Sequence, residues 1–151
     1  MATLTLEGLI APTDVVAGAQ AAGARDVLEK LAAIGAARTG APERAILDSL
    51  VARERLGSTG VGHGVAVPHA RLPGIAGLTG ALLRLSHPVD FAASDLQPCD
   101  LFALLLAPTD AAGDHLKALA ALSRRLSEPA VRAAMRAAPD AAAMRSALVA
   151  G

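Results

Sequence analysis

The stretch Arg53-Glu54-Arg55-Leu56-Gly57-Ser58-Thr59-Gly60-Val61-Gly62-His63-Gly64-Val65-Ala66-Val67-Pro68-His69-Ala70-Arg71 decides how this chain reads. Four glycines and two hydroxyls lead into a short apolar run that ends in Pro-His. A strand that stops at proline delivers the next side chain to a sheet edge. There a histidine can act as a nucleophile while backbone amides and arginines hold an anion, the combination that phosphoryl transfer through histidine requires. Other glycine-rich readings fit less well. A nucleotide-binding P-loop needs Lys-Ser/Thr after its second glycine, whereas Gly62 is followed by His63-Gly64. A dinucleotide fingerprint reads G-x-G-x-x-G between strand and helix, but Gly60, Gly62 and Gly64 give G-x-G-x-G and run into a β-branched segment. Zinc binding by His63 and His69 lacks a nearby acidic or cysteine ligand, so neither a metal nor another cofactor is expected.

Outward from this loop the pattern alternates helices and strands. Val27, Leu28, Leu31 and Ile34 recur at helical spacing, which predicts a helix over Ala24 to Thr39 with Gly40 as its stop. A second helix opens at Pro42, with Glu43 in its first turn, and ends near Arg55. Val65 to Pro68, Leu78 to Leu85 and Leu101 to Leu106 read as strands. The last is apolar on both faces and is expected at the centre of a doubly covered sheet. Gly113-Asp114 starts a helix carrying Leu116, Leu119, Leu122 and Leu126, and Pro129 and Pro139 mark two more helix starts. With no linker or internal repeat in 151 residues, the expectation is one α/β domain over residues 1–151, a mixed central sheet with helices on both faces.

Bulk properties narrow the partners. Fourteen basic and fourteen acidic residues leave no net charge to attract nucleic acid or an anionic membrane. The hydrophobic fraction of 53% is largely alanine, and the strongest apolar run, Leu101 to Ala107, is far too short to span a bilayer. The N-terminus lacks the basic start and apolar core of a secretory signal, and a lone cysteine forms no internal disulfide; a cytoplasmic location is expected, without membrane insertion. Two phenylalanines, with no Trp or Tyr, leave little capacity to stack bases or sugars.

Arg53 to Arg71 resembles the phosphorylation-site signature of the enzyme IIA domains of the bacterial phosphotransferase system, fructose/mannitol/nitrogen-regulatory class. The nitrogen-regulatory branch, which reads approximately R-E-K-M-G-S-T-G-I-G-N-G-I-A-I-P-H-G-K, is the closest. The likeness continues at Val89-Asp90-Phe91, Gln97-Pro98, Asp100 to Pro108 and His115-Leu116. Two positions depart from it: His63 stands in place of asparagine, and Ala70 in place of the glycine after the active histidine.

This resemblance implies that His69 is the phosphoacceptor, and a neutral imidazole supplies the free nitrogen such a role needs. It implies that His115 is the second active-site histidine, at a helix N-terminus that favours anions, and that Arg53 grips phosphoryl oxygens with a bidentate guanidinium. Arg71 is a further phosphate-binding candidate whose loop position equally suits surface charge. Ser58 and Thr59 can bind phosphate oxygens, orient His69 or cap the loop. His63 reads as a rim residue, His87 before Pro88 as a turn, and Cys99 as a small buried apolar group. The implied activity is a phosphocarrier charged by a phosphorylated HPr-like protein. Its output is phosphorylation-dependent regulation of target proteins; alternatives are delivery to an enzyme IIB for sugar uptake, or a non-phosphorylated interaction module.

Overall fold

The computed structural model describes residues 4–150. The elements run α1 (Leu6–Leu9), β1 (Ile10–Ala19), α2 (Ala24–Thr39), α3 (Glu43–Arg55), β2 (Gly60–Gly62), β3 (Val65–Ala66), β4 (His69–Leu72), β5 (Thr79–Val89), β6 (Cys99–Pro108), α4 (Ala112–Leu126), α5 (Pro129–Ala137) and α6 (Ala141–Val149). They form a mixed six-stranded sheet in the order β1-β5-β6-β3-β2, with β4 also paired to β6. The all-apolar strand lies at its centre, as the sequence requires: β6 runs antiparallel to β5 on one side and parallel to β3 and β4 on the other.

Alternation along the strands builds two cores. Phe102, Leu104 and Leu106 of β6 pack with Val27, Leu28 and Leu31 of α2 and Ile46 and Leu50 of α3. Leu101, Ala103 and Leu105 face the other way, onto Ala118, Leu122 and Leu126 of α4, with Val131 and Met135 of α5 and Met144 and Leu148 of α6. Each fully buried Leu or Ile contributes roughly 1.5–3 kcal/mol, so these two layers dominate the stability.

Helix ends follow the local chemistry. Gly40 closes α2 in the left-handed region at φ +78°, its amide bonded to the Ala36 carbonyl. Pro129 opens α5, and Asp140 caps α6 by accepting from the Ala143 amide at 2.8 Å. That last helix also holds the first strand, because Arg145 donates through Nε to Ile10 O at 2.7 Å and through Nη2 to Glu7 O at 2.8 Å.

The structure differs from the sequence reading in four places, one of them Arg71, which lies in strand β4 opposite Ala107 and not on a loop. The segment read as one strand, Val65 to Pro68, is two strands: β3 pairs Val65 and Ala66 with Leu101 and Phe102, and β4 pairs His69 to Leu72 with Leu105 to Pro108. Between them Pro68, which has no N–H, still accepts Leu105 N–H at 3.0 Å, while the Val67 amide faces away from β6 and donates to Thr59 O at 3.0 Å, extending the β2–β3 pairing. His69 therefore opens a strand that pairs only with the central β6 and lies at an edge of the sheet, where the Pro-His run is expected to deliver it. His87 is not in a turn. It lies exposed near the end of β5, where pairing with β6 slips between Arg84 and Val89 and a proline at 88 costs no ladder bond. Finally, β1 carries no clear alternation and pairs parallel to β5 through two irregularities, which is why the pattern alone does not mark it.

Candidate functional site

Ala66, Ala70 and Leu72 point into the α2/α3 core and Val65 and Val67 into the opposite one, so strand alternation places His69 and Arg71 on the α4 face. Ala70 is an ordinary buried strand residue opposite Leu106, with no left-handed turn to accommodate.

Two bonds fix the His69 ring. Its Nδ1 lies 2.7 Å from Val67 O, and because a carbonyl only accepts, Nδ1 carries the proton. On the other side Arg53 Nε donates to His69 Nε2 at 3.3 Å, and because a guanidinium only donates, Nε2 holds the lone pair. Both partners select the same tautomer. Burial, reinforced by the Arg53 charge and opposed by the bond to Val67, holds His69 below the ordinary histidine range, so the ring is neutral near pH 7. Arg53 is itself anchored, donating from Nη1 to Gly57 O at 2.9 Å.

His115 sits in the first turn of α4, whose N-terminus has no side-chain cap. The His69 and His115 ring centroids are 5.4 Å apart, edge to face at 62°. Unlike His69, His115 has a buried Nε2 with no hydrogen-bond partner. Burial, then the neighbouring His69 and Arg71, lower its pKa. The structure thus brings together His69, His115 and Arg53, with the exposed Arg71 on the same face.

Ser58 and Thr59 have their hydroxyl protons engaged elsewhere. Ser58 Oγ donates to Phe91 O at 2.8 Å and accepts from Gly60 N at 3.0 Å. The buried Thr59 donates its hydroxyl to Glu54 Oε1, and its amide donates to Glu54 Oε2 at 3.1 Å. Both hydroxyls hold the loop.

Sequence reasoning missed the clamp on the hairpin tip. His63, exposed on the rim, adopts φ +58°; its amide donates to Asp95 Oδ2 at 3.0 Å and its carbonyl accepts from Arg136 Nη2 at 2.6 Å. Arg136 is paired in turn with Asp100 at 2.9 Å. Gly64 follows at φ +78°, where a Cβ would fall 2.6 Å from Arg136 Nη2, so only glycine fits without displacing the clamp. Asp95 and Arg136 belong to no motif recognisable beforehand; Glu54 stands in the opening Arg-Glu of the signature, but nothing in the sequence alone gives it a role. Cys99 is buried as expected, its thiol pushed up to about 11 by burial. No helix among the described residues is long and apolar enough to cross a membrane. Leu56 just past α3, Val61 of β2, Leu96 of the loop before β6 and Leu116 of α4 expose apolar side chains.

Known proteins share this fold. The family model described as "Phosphoenolpyruvate-dependent sugar phosphotransferase system, EIIA 2" matches residues 9–150. The chain is 42% identical, over 96% of its length and 95% of the relative's, to the nitrogen regulatory protein of Bradyrhizobium diazoefficiens. Over 58% of its length it is 41% identical to the fructose-specific EIIA component of the phosphotransferase system of Haloferax volcanii, covering 57% of that protein. Among solved structures, the nitrogen regulatory protein IIA-Ntr from Neisseria meningitidis superposes with a TM-score of 0.89 at 31% identity, covering 93% of this chain and 97% of that one.

Proposed function

Because the chain belongs to the type 2 enzyme IIA family of the phosphoenolpyruvate-dependent sugar phosphotransferase system, we propose that it is a cytoplasmic phosphocarrier charged at His69 Nε2, whose phosphorylation state regulates target proteins. One observation carries the reading: Nδ1 is committed to Val67 O, leaving a lone pair on Nε2 beside a guanidinium. The Nε2 lone pair attacks the phosphorus of a phosphohistidine on an HPr-like donor, forming a new P–N bond as the donor's P–N bond breaks and its imidazole leaves with that electron pair. Arg53 faces the developing charge on the equatorial oxygens, and His115 Nε2 supplies a second polar contact. His115 must carry its proton on Nε2 to donate one.

The regulatory output rests on the similarity to nitrogen regulatory proteins over nearly the whole chain. A phosphoryl group adds about −1.5 to −2 charges, by analogy with phosphorylated hydroxyl side chains, to a surface that carries exposed Leu56, Val61, Leu96 and Leu116. Such a change repels a partner packed on the neutral surface without refolding the domain. At least one target is therefore expected to bind the unphosphorylated form preferentially; His69→Ala retains that binding and His69→Glu weakens it. Affinity measurements with the wild-type protein in both phosphorylation states test this. A second reading, delivery to a sugar-specific enzyme IIB, is favoured by the 41% identity to the fructose-specific component. It replaces the regulatory reading if an enzyme IIB removes the phosphoryl group as fast as the donor supplies it and no partner's affinity changes.

A further inference from the structure

We propose that Glu54 is a positioning residue that fixes the tautomer of His69 through a relay of hydrogen bonds across the glycine loop. The relay begins on the last turn of α3, where the Glu54 carboxylate accepts both the amide and the hydroxyl of Thr59. Thr59 O then accepts the Val67 amide at 3.0 Å. Val67 O accepts His69 Nδ1–H at 2.7 Å. Each bond directs the next backbone group: with Thr59 held at two points its carbonyl meets the Val67 amide as an extension of the β2–β3 pairing, and Val67, fixed there, presents its carbonyl to the ring two residues on.

Arg53 and Glu54 divide the task. Adjacent on one helix turn, they grip the same loop at different points, Arg53 at Gly57 O and Glu54 at Thr59. Arg53 then meets the His69 ring at Nε2, and the Glu54 relay meets it at Nδ1. An imidazole free of the relay has Arg53 alone to favour the Nδ1-protonated tautomer and admits a share of the other, and the one protonated on Nε2 has no lone pair there with which to attack phosphorus. Three hydrogen bonds separate Glu54 from His69 Nδ1, so its effect falls on the fraction of molecules ready to react and leaves donor docking intact.

The inference rests on His69 being the phosphoacceptor, and a tautomer measurement separates the two. Long-range 1H–15N correlation spectra of the unphosphorylated protein at pH 7.5 read both ring nitrogens of His69 directly, and phosphotransfer from a phosphorylated HPr-like protein is timed on the same samples. In the wild type Nδ1 is expected to be protonated and Nε2 bare. Glu54→Ala should show a mixture of tautomers and a transfer rate lower by about tenfold at unchanged KM for the donor. Thr59→Val, which keeps the shape and loses the hydroxyl, should move both readouts in the same direction by less, and Thr59→Ser should restore them. Folded Glu54→Ala or Thr59→Val with a purely Nδ1-protonated His69 and rates within about twofold of wild type would overturn the proposal, as would a wild-type ring protonated on Nε2. If Glu54→Ala fails to fold, the Thr59→Val and Thr59→Ser pair decides. Absence of labelling on His69 in every variant would instead remove the phosphocarrier reading while the spectra still judge the relay.

Discussion

The two histidines of the site are held in opposite ways. His69 stands on a strand against the central β6, and both its ring nitrogens are bonded before any ligand arrives. His115 comes from the first turn of α4, and its buried Nε2 has no partner. The difference separates a nucleophile, which must present one lone pair in one direction, from a group whose contact is made only when the phosphoryl group is there. An interaction realised mainly in the transition state accelerates the chemistry, whereas one already satisfied in the resting protein sets the geometry.

Breaking the comparison at its centre has the largest expected effect. His69→Ala should abolish labelling by the phosphorylated donor while leaving a folded protein, and the wild-type label should be acid-labile and alkali-stable; a label that persists in the variant, or maps to His63, removes the nucleophile from this position. Next comes the group bonded to it. Arg53→Ala loses a charge-assisted contact worth roughly 1.5–3 kcal/mol, so rapid-quench transfer rates should fall about 10- to 150-fold. His115→Ala loses one hydrogen bond from a neutral donor to the charged phosphoryl group, at the low end of the same range, roughly 1.5 kcal/mol, and should slow transfer about 12-fold. Equal losses in the two variants would show that the histidines are not held differently in any way that matters to the reaction.

The same comparison extends to pH. Both histidines have pKa values lowered chiefly by burial. The unfolded chain then binds protons more readily than the native one between the lowered values and the ordinary histidine value of about 6.5. Stability contributed by the neutral rings is present above that ordinary value and is lost as pH falls through the lowered ones. Denaturant midpoints should therefore drop on acidification from pH 7.5 towards 5, and the double variant His69→Gln/His115→Gln should flatten that drop. The smallest effect belongs to His87, exposed near the end of β5 and outside the site: His87→Ala should leave both transfer rate and midpoint unchanged within error.

Much of this was legible in the chain. The helix over Ala24 to Thr39 declares itself through Val27, Leu28 and Leu31 and ends where Gly40 permits the left-handed turn, and the all-apolar Leu101 to Leu106 could only be central. The catalytic candidates stand in one motif with His115 downstream. What escaped depends on backbone partners that no side-chain pattern encodes. In β1 the stretch Pro12-Thr13-Asp14 interrupts any alternation, and Asp14 is buried because Arg38 of α2 reaches it at 2.6 Å. The break at Val67-Pro68 is invisible until Thr59 is known to receive the Val67 amide. Glu54 and Arg136 look like solvated helix charges until the loop they hold has a shape.

The clasp of Arg145 on Ile10 and Glu7 carries a consequence for how the chain is made. On the ribosome β1 is translated early, but its sheet partner Gly80 comes much later, and the guanidinium that fastens it is supplied only by the final helix. The loop that presents His69, with β6 beside it, can settle while α6 is still unsynthesised. Strand β1 is thus the last to be fastened, and until β5 has been made Val15 and Val16 travel as an unpaired β segment, open to the pairing errors that nascent chains rely on chaperones to prevent.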